Sequence, residues 1–175
     1  MPADPVRVLI EARPGAGKTT ALVRLSEILR DAGVPITGFV TKEMRESGRR
    51  VGFEIETFAG ERGLLAHVDI KGPPRVSRYG VDLEEFERLA LPALEGDGLA
   101  LIDELGKMEL ASQRFTEAVH ELFESAAPIV ATVHTARHPF TDKLKRTAGV
   151  STVRLTAANR DRLPGEVAGR LQAGI

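Results

Sequence analysis

A glycine-rich segment near the N-terminus constrains the fold more than any other part of this sequence. The segment from Ala12 to Thr20 reads ARPGAGKTT, and a short apolar run, Val6 to Ile10, precedes it. A helical pattern follows, with Leu22, Leu25 and Leu29 on one face. A buried strand, a glycine-rich turn ending in Gly-Lys-Thr and a helix form the unit that cradles phosphate groups. The sequence therefore predicts a phosphate-binding P-loop between the first strand and the first helix.

The chemistry of such a loop assigns roles to its residues. Successive backbone N–H groups and the helix N-terminus converge on a phosphate, and a lysine reaches the terminal phosphates. We expect Lys18 to be that lysine and Thr19 to bring its hydroxyl to Mg²⁺. Ala12 replaces the first glycine of the usual GxxxxGKT pattern, so one methyl group has to fit at the end of the strand. The predicted nucleotide-binding residues of the loop are Arg13, Pro14, Gly15, Ala16, Gly17, Lys18, Thr19 and Thr20.

A second apolar run has two carboxylates at its end. Leu99 to Ile102 reads LALI, and Asp103 and Glu104 follow it directly. The carboxyl ends of parallel strands meet at one edge of a sheet, so both carboxylates can reach a nucleotide on the P-loop. We expect Asp103 to hold Mg²⁺ through water and Glu104 to deprotonate the water that attacks the terminal phosphate. Glu104 and Lys18 are therefore the predicted catalytic residues.

Length and composition exclude several classes of protein. At 175 residues the chain can bury one sizeable core, and we expect residues 1–175 to form a single domain. The 24 basic and 25 acidic residues nearly cancel, so no overall charge attracts nucleic acid or an anionic membrane. The sequence has no cysteine, no signal-peptide pattern and no apolar run of the roughly 18 residues that a membrane span needs. We expect a cytoplasmic protein that acts as a monomer.

Apolar runs that alternate with amphipathic helices predict an α/β fold, with a mainly parallel sheet and helices on both faces. Residues 37–67 differ, because short strand-like runs separated by Ser-Gly and Ala-Gly indicate a hairpin-rich antiparallel insertion. Asp82 and Ser112 are predicted caps of two helices. The other predicted elements are strands at Ile129 to Val133 and Ser151 to Leu155, and a final helix with Val167 and Leu171.

Several polar residues are weaker candidates, each with a structural alternative. Thr132 and His134 end the strand expected beside the P-loop strand, where they can sense the terminal phosphate or be a plain polar strand end. Asn159 is a candidate base contact or the cap of the last helix. Arg78 and a basic stretch can stabilise transition-state charge, although a solvated loop is the simpler interpretation of the stretch. The basic residues of that stretch are Arg137, Lys143, Lys145 and Arg146.

Several longer runs are more specific than the P-loop: RPGAGKTT at 13–20, GFVTKEMR at 38–45, RYGV at 78–81, LPAL at 91–94, IDELGKMEL at 102–110 and NRD at 159–161. Through these runs the chain resembles, nearly end to end, the small nucleoside-triphosphatases of archaea and bacteria that are related to the human cancer-related nucleoside-triphosphatase. The resemblance implies a RecA-like P-loop fold and slow, Mg²⁺-dependent hydrolysis of several nucleoside triphosphates to diphosphates. The chain departs from the family at Glu11-Ala12, where Thr-Gly is usual, and at Ser77, where glycine is usual.

The predicted function is therefore hydrolysis of nucleoside triphosphates, ATP and GTP among them, with broad tolerance of the base. The sequence lacks the Asn-Lys-x-Asp motif that reads guanine. Two alternatives stay open at this point. In a nucleotide or nucleoside kinase a second substrate replaces water as the acceptor, and in a nucleotide-dependent switch slow turnover times the binding of a partner.

Overall fold

One nine-stranded sheet forms the centre of the protein. The computed structural model describes residues 4–174. The strands lie in the order β5-β6-β4-β3-β2-β7-β8-β1-β9 across the sheet. They are β1 (Arg7–Ala12), β2 (Ile36–Glu46), β3 (Arg49–Thr57), β4 (Arg62–His67), β5 (Arg75–Val76), β6 (Tyr79–Val81), β7 (Leu99–Ile102), β8 (Ile129–His134) and β9 (Val150–Arg154).

The half of the sheet that contains β2, β7, β8, β1 and β9 is parallel. As predicted, β8 lies beside β1, and it also separates β1 from β7. Ala12 of β1 is paired with His134 of β8, so the ends of the two strands are level. The P-loop, the carboxylates after β7 and the end of β8 consequently meet at one edge of the sheet.

The other half of the sheet is antiparallel and larger than the sequence indicated. Strands β2, β3, β4, β6 and β5 follow one another by antiparallel pairing, so the extension continues to Val81 instead of ending near residue 67. Its first strand has two partners: Ile36–Phe39 is paired in parallel with β7, and Phe39–Glu46 is paired with β3. The start of the predicted insertion is therefore part of the parallel sheet.

Helices cover both faces of the sheet, as predicted. The helices are α1 (Lys18–Asp31), α2 (Leu83–Ala93), α3 (Gln113–Glu124), α4 (Pro139–Lys145) and α5 (Leu163–Ala173), with a 3₁₀ turn at Glu109–Ala111. Side chains of β1 alternate between the faces. Val8 and Ile10 pack in the cluster that contains the buried residues of α1 and α5, and Leu9 packs in the cluster of α2, α3 and α4. None of the helices within residues 4–174 is long and apolar enough to cross a membrane.

The predicted caps are confirmed, whereas the segment before β9 differs from the prediction. Asp82 accepts a hydrogen bond from Glu85 N, and Ser112 accepts one from Phe115 N. Pro139 begins α4, which it can do because the N–H groups of the first helical turn have no partner within the helix. The basic stretch is therefore largely helical. Asn159 does not cap the last helix, which begins four residues later at Leu163.

Candidate functional site

The P-loop connects β1 to α1 in the conformation that its glycines permit. Gly15 and Gly17 have φ values of 77° and 96°, which other residues adopt rarely. Gly17 O accepts the hydrogen bond from Ala21 N that starts the helix. The methyl group of Ala12 fits without difficulty, because Ala12 is buried in the core cluster beside Val8 and Ile10. The alanine that replaces the usual glycine is therefore accommodated by packing.

Lys18 lies against two polar side chains from other elements. Its Nζ is 3.2 Å from Glu104 Oε2 and 3.2 Å from His134 Nδ1, and it donates to Ala12 O at 3.4 Å. His134 Nε2 is 2.7 Å from Glu104 Oε1. The side chain of Lys18 is only 8% exposed, and that of Glu104 is 22% exposed. The loop lysine, the carboxylate after β7 and the histidine that ends β8 thus form one closed set of contacts.

Asp103 lies beneath this group and is almost fully buried. Its Oδ2 accepts a 2.5 Å hydrogen bond from Thr19 Oγ1, and its Oδ1 accepts a 2.7 Å hydrogen bond from Thr132 Oγ1. Burial raises the pKa of Asp103 to about 6, although the two hydroxyl hydrogen bonds act in the opposite direction. Thr132 is therefore a partner of Asp103 and is fully buried.

The pKa values of Glu104 and Glu109 are shifted in opposite directions. Burial alone would raise the pKa of Glu104, but the hydrogen bond from His134 and the charge of Lys18 outweigh it, so the pKa is lowered. Burial and the negative charge of Glu104 raise the pKa of Glu109 well above its usual value. A Cβ on Gly106 would lie 2.7 Å from Glu104 Oε1 and 3.0 Å from Glu109 Oε2, so glycine there leaves room for both carboxyl groups.

These residues line one cleft of about 720 Å³ that also reaches the antiparallel half of the sheet. Its far wall contains Phe53 and Tyr79, whose rings meet edge to face at a centroid distance of 5.3 Å. Sequence reasoning did not place these aromatic residues in the site, and it named Glu109 only as a residue to test if Glu104 does not position the water. Glu109 belongs to the quoted run IDELGKMEL, but the 3₁₀ turn that directs a buried carboxyl to the cleft has no periodic signal.

Glu11, one of the departures from the family pattern, is neutralised by two basic residues. Its Oε2 is 2.5 Å from Lys145 Nζ, and its Oε1 is 2.9 Å from Arg154 Nη2. The hydrogen bond from Lys145 is the main cause that lowers the pKa of Glu11, against the opposing effect of burial. Lys145 also donates to His134 O at 3.2 Å. Glu11 therefore joins β1 to α4 and β9.

The remaining candidates are placed at different distances from the cleft. Arg137 lines it and is ion-paired with Asp142, whereas Arg78 donates to the hydroxyl of Tyr79. Ser77 also lines the cleft at a φ of 54°, a conformation that favours the glycine usual in the family. Lys143 and Arg146 do not line this cleft.

Asn159 is part of the loop after β9. Its Oδ1 accepts a hydrogen bond from Thr156 N, and its Nδ2 donates to Arg154 O. Arg160 and Asp161 instead line a smaller pocket of about 200 Å³ beside the P-loop, with Gly17, Thr20, Ala21 and Arg24. The loop that contains Asn159 reaches the P-loop, but the side chain of Asn159 is occupied within the loop.

The oxygen atoms of Thr19 and Asp103 fit a magnesium ion. Hydroxyl and carboxylate oxygens are ligands that Mg²⁺ prefers, and it commonly takes only one or two of them from a protein that also binds phosphates. Within residues 4–174 no group of three or more His, Cys, Asp or Glu side chains is placed to hold a metal ion. A divalent ion here would therefore depend on water and on the phosphates of a nucleotide for its other ligands.

Comparisons with known proteins agree with this geometry. Residues 7–168 match the model of a family described as NTPase. Nucleoside-triphosphatase THEP1 of Thermotoga petrophila is 42% identical over 166 residues, which cover 93% of this chain and 90% of that protein. The human cancer-related nucleoside-triphosphatase is 43% identical over 136 residues, or 70% of this chain and 72% of that protein. The crystal structure of THEP1 from the hyperthermophile Aquifex aeolicus has a TM-score of 0.85 at 30% identity, covering 95% of this chain and 99% of that one.

Proposed function

The chain belongs to the NTPase family and is a nucleoside-triphosphatase, and from this premise we propose a mechanism for the hydrolysis at the cleft between the P-loop and Glu104. One observation carries the proposal. The ammonium group of Lys18 and the carboxylate of Glu104 lie 3.2 Å apart in the same cleft. A group that binds the terminal phosphate and a group that can accept a proton from water are thus adjacent, as hydrolysis requires.

The P-loop binds the triphosphate in this proposal. Backbone N–H groups of residues 13–20 face the β- and γ-phosphates at the N-terminus of α1, where the helix dipole also favours negative charge. Lys18 leaves Glu104 and His134 and pairs with the terminal phosphates. The nucleotide-binding residues are Arg13, Pro14, Gly15, Ala16, Gly17, Lys18, Thr19 and Thr20, as the sequence predicts.

Thr19 and Asp103 would hold a magnesium ion, Thr19 through its hydroxyl and Asp103 through water. Their contact of 2.5 Å supports this assignment, because it places the two oxygens side by side next to the P-loop. When bound, Mg²⁺ stabilises the negative charge on the phosphate oxygens. Thr132 keeps Asp103 in place by its hydrogen bond to the second carboxylate oxygen.

Glu104 acts as the general base. The oxygen of a water molecule attacks the γ-phosphorus, the bond from that phosphorus to the bridging oxygen breaks, and a proton of the water passes to Glu104. The lowered pKa of Glu104 means that its carboxylate is deprotonated near neutral pH, which a general base requires. The products are a nucleoside diphosphate and phosphate.

The base contributes little to recognition in this proposal. The pocket of about 200 Å³ beside the P-loop is lined by residues of α1 and of the loop after β9, where a base can lie. Its charged members are Arg24, Arg160 and Asp161. Because Asn159 is occupied by the loop backbone, we now expect it to support this pocket through the loop. The expected monomeric state and cytoplasmic location stay predictions.

Measurement of diphosphate and phosphate release tests the proposal. The assay compares ATP, GTP, CTP and UTP, each with Mg²⁺ and with EDTA, for the wild type and for Lys18→Met, which keeps the aliphatic stem but removes the charge. We expect equal amounts of the two products, dependence on Mg²⁺ and efficiencies within about 100-fold of one another, or roughly 2.7 kcal/mol. Diphosphate without an equal amount of phosphate would instead indicate transfer to an acceptor, as in a kinase.

A further inference from the structure

His134 is the side chain that links the lysine of the P-loop to the carboxylate after β7. Its Nδ1 is 3.2 Å from Lys18 Nζ, and its Nε2 is 2.7 Å from Glu104 Oε1. An ammonium group has no acceptor, so Nδ1 accepts the hydrogen bond from Lys18. The ring proton is then on Nε2, which donates to Glu104. The imidazole therefore has a defined tautomer in this arrangement.

The backbone of His134 is fixed from two sides. His134 is paired with Ala12, at the end of β1, and its carbonyl oxygen accepts a hydrogen bond from Lys145 Nζ of α4. Neither contact involves the imidazole, which is 31% exposed to the cleft. A change of the side chain thus leaves the strand pairing and the contact to α4 in place.

The carboxylate of Glu104 has few polar contacts other than the one with His134. Within residues 4–174, Lys18 and His134 supply the only side-chain hydrogen bonds and ion pairs to its carboxylate. Lys18 moves to the phosphates when a nucleotide binds, according to the function proposed above. The hydrogen bond from His134 then becomes the only one of these contacts that can keep Glu104 oriented.

We propose that His134 is a positioning residue for hydrolysis, which holds the Glu104 carboxylate in line with the attacking water after Lys18 has moved to the nucleotide. This inference rests on the proposed function, because it assigns to His134 an effect that acts through Glu104. His134 is expected to influence the chemical step and to leave nucleotide binding nearly unchanged. A misplacement of a reacting group by about 1 Å can slow a reaction by roughly 100-fold.

Two conservative variants separate the two ring nitrogens. The amide nitrogen of Gln in His134→Gln reaches about as far as Nε2 and can still donate to Glu104. The shorter side chain of Asn in His134→Asn ends near the position of Nδ1, and Leu in His134→Leu has no polar group. A remote substitution, His120→Gln, is the matched control, because His120 lies on α3 and pairs with Glu124 on the same helix.

The experiment measures single-turnover hydrolysis of Mg²⁺-ATP and equilibrium binding of a non-hydrolysable ATP analogue, with thermal unfolding to verify folding. We expect His134→Leu and His134→Asn to slow hydrolysis by roughly 10- to 100-fold, with nucleotide affinity within about 3-fold of the wild type. His134→Gln is expected to recover most of the rate, and His120→Gln to match the wild type. Equal losses in all three His134 variants, or normal rates in His134→Leu, would overturn the inference. Weakened binding without slower chemistry would also overturn it, because His134 would then contact the phosphates itself.

A double substitution distinguishes this inference from the proposed function. If His134 acts through Glu104, then adding His134→Leu to Glu104→Gln causes no further loss of rate. Additive losses would overturn the positioning role of His134 and leave the function of Glu104 intact. Normal hydrolysis by Glu104→Gln alone would instead contradict the proposed general base, and the inference would fail with it.

Discussion

Thr19 Oγ1 donates a hydrogen bond to Asp103 Oδ2 over 2.5 Å, so the first turn of α1 is bonded directly to the end of β7. The two residues lie 84 positions apart in the sequence and meet because β8 brings β1 and β7 into one parallel sheet. This contact places a hydroxyl and a nearly fully buried carboxylate side by side before any ligand binds. Because the fold buries Asp103 at this contact, the protonation of its carboxyl group is linked to folding.

Asp103→Asn is expected to stabilise the protein in EDTA near neutral pH. Burial raises the pKa of Asp103 from 3.8 to about 6, so the folded state holds this proton more tightly than the unfolded state does. Stability from this group is therefore present below about pH 4 and is lost as the pH rises through about 6. The pKa shift corresponds to a gain of on the order of 3 kcal/mol in the free energy of unfolding of Asp103→Asn at neutral pH. The weakened contact to Thr19 reduces this gain. Thermal unfolding at pH 4.5 and pH 7.5 measures the effect, and a variant that gains no stability at the higher pH relative to the lower would contradict it.

The same substitution is expected to impair the use of magnesium. An amide is a weaker partner for Mg²⁺ and its water ligands than a carboxylate, so Asp103→Asn should need more Mg²⁺ for half-maximal turnover and reach a lower maximum. Titration of turnover with Mg²⁺ at saturating ATP measures both quantities. Thr132→Val, which removes one hydrogen bond from Asp103 but keeps its charge, is expected to change them less. An unaltered Mg²⁺ requirement in Asp103→Asn would exclude Asp103 from the metal site.

Glu104→Gln is expected to separate binding from chemistry. The amide keeps the shape of the side chain but cannot accept the proton of water, so single-turnover hydrolysis should slow by roughly 100-fold or more. Equilibrium binding of nucleotide and Mg²⁺ should be retained, because Lys18 and Thr19 are unchanged. A near-normal rate would mean that another group activates the water, and Glu109 would be the next residue to test.

Lys18→Met is expected to weaken nucleotide binding as well as turnover. A hydrogen bond to a charged group contributes about 1.5–3 kcal/mol, which corresponds to roughly 10- to 150-fold in the dissociation constant. Lys18 is 8% exposed and ion-paired with Glu104, so its loss should also lower the melting temperature. Titration with a fluorescent nucleotide and a thermal melt measure the two effects. Unchanged affinity would show that the loop is not the phosphate site.

Glu11→Gln is expected to change stability more than nucleotide affinity. Its charge is already neutralised by Lys145 and Arg154, so the affinity for ATP should remain within about 3-fold of the wild type. Loss of the pair with Lys145 should cost about 1–3 kcal/mol at pH 7, with little from the exposed Arg154. Because the folded-state pKa of Glu11 is lowered, this contribution is present above about pH 4.5 and disappears as the pH falls through the lowered value. A tenfold gain in affinity would mean that the carboxylate repels the nucleotide.

The sequence was sufficient to predict those elements that depend on local signals. The glycine-rich turn, the LALI strand with its two carboxylates and the caps Asp82 and Ser112 all depend on short-range rules, and the structure confirms these elements. Tyr79 could not be placed in the cleft, because its position depends on a distant sheet pairing. Burial of the Glu109 carboxyl depends on a 3₁₀ turn that has no periodic signal. The ion pair of Glu11 with Lys145 likewise requires α4, which lies in a stretch for which a solvated loop was the simpler interpretation.

Strand β2 determines which parts of the cleft can move. Since it is bonded to β7 along its first four residues and to β3 along the rest, the two halves of the sheet have no flexible joint between them. The wall of the cleft that contains Thr41 and Asp103 is therefore held by strand pairing on both sides of β2. The opposite wall includes Ala136, Arg137 and His138, which lie in the loop before α4 and have no such double pairing. The Glu11 to Lys145 ion pair therefore matters for this wall, because it ties α4, which follows the loop, to β1.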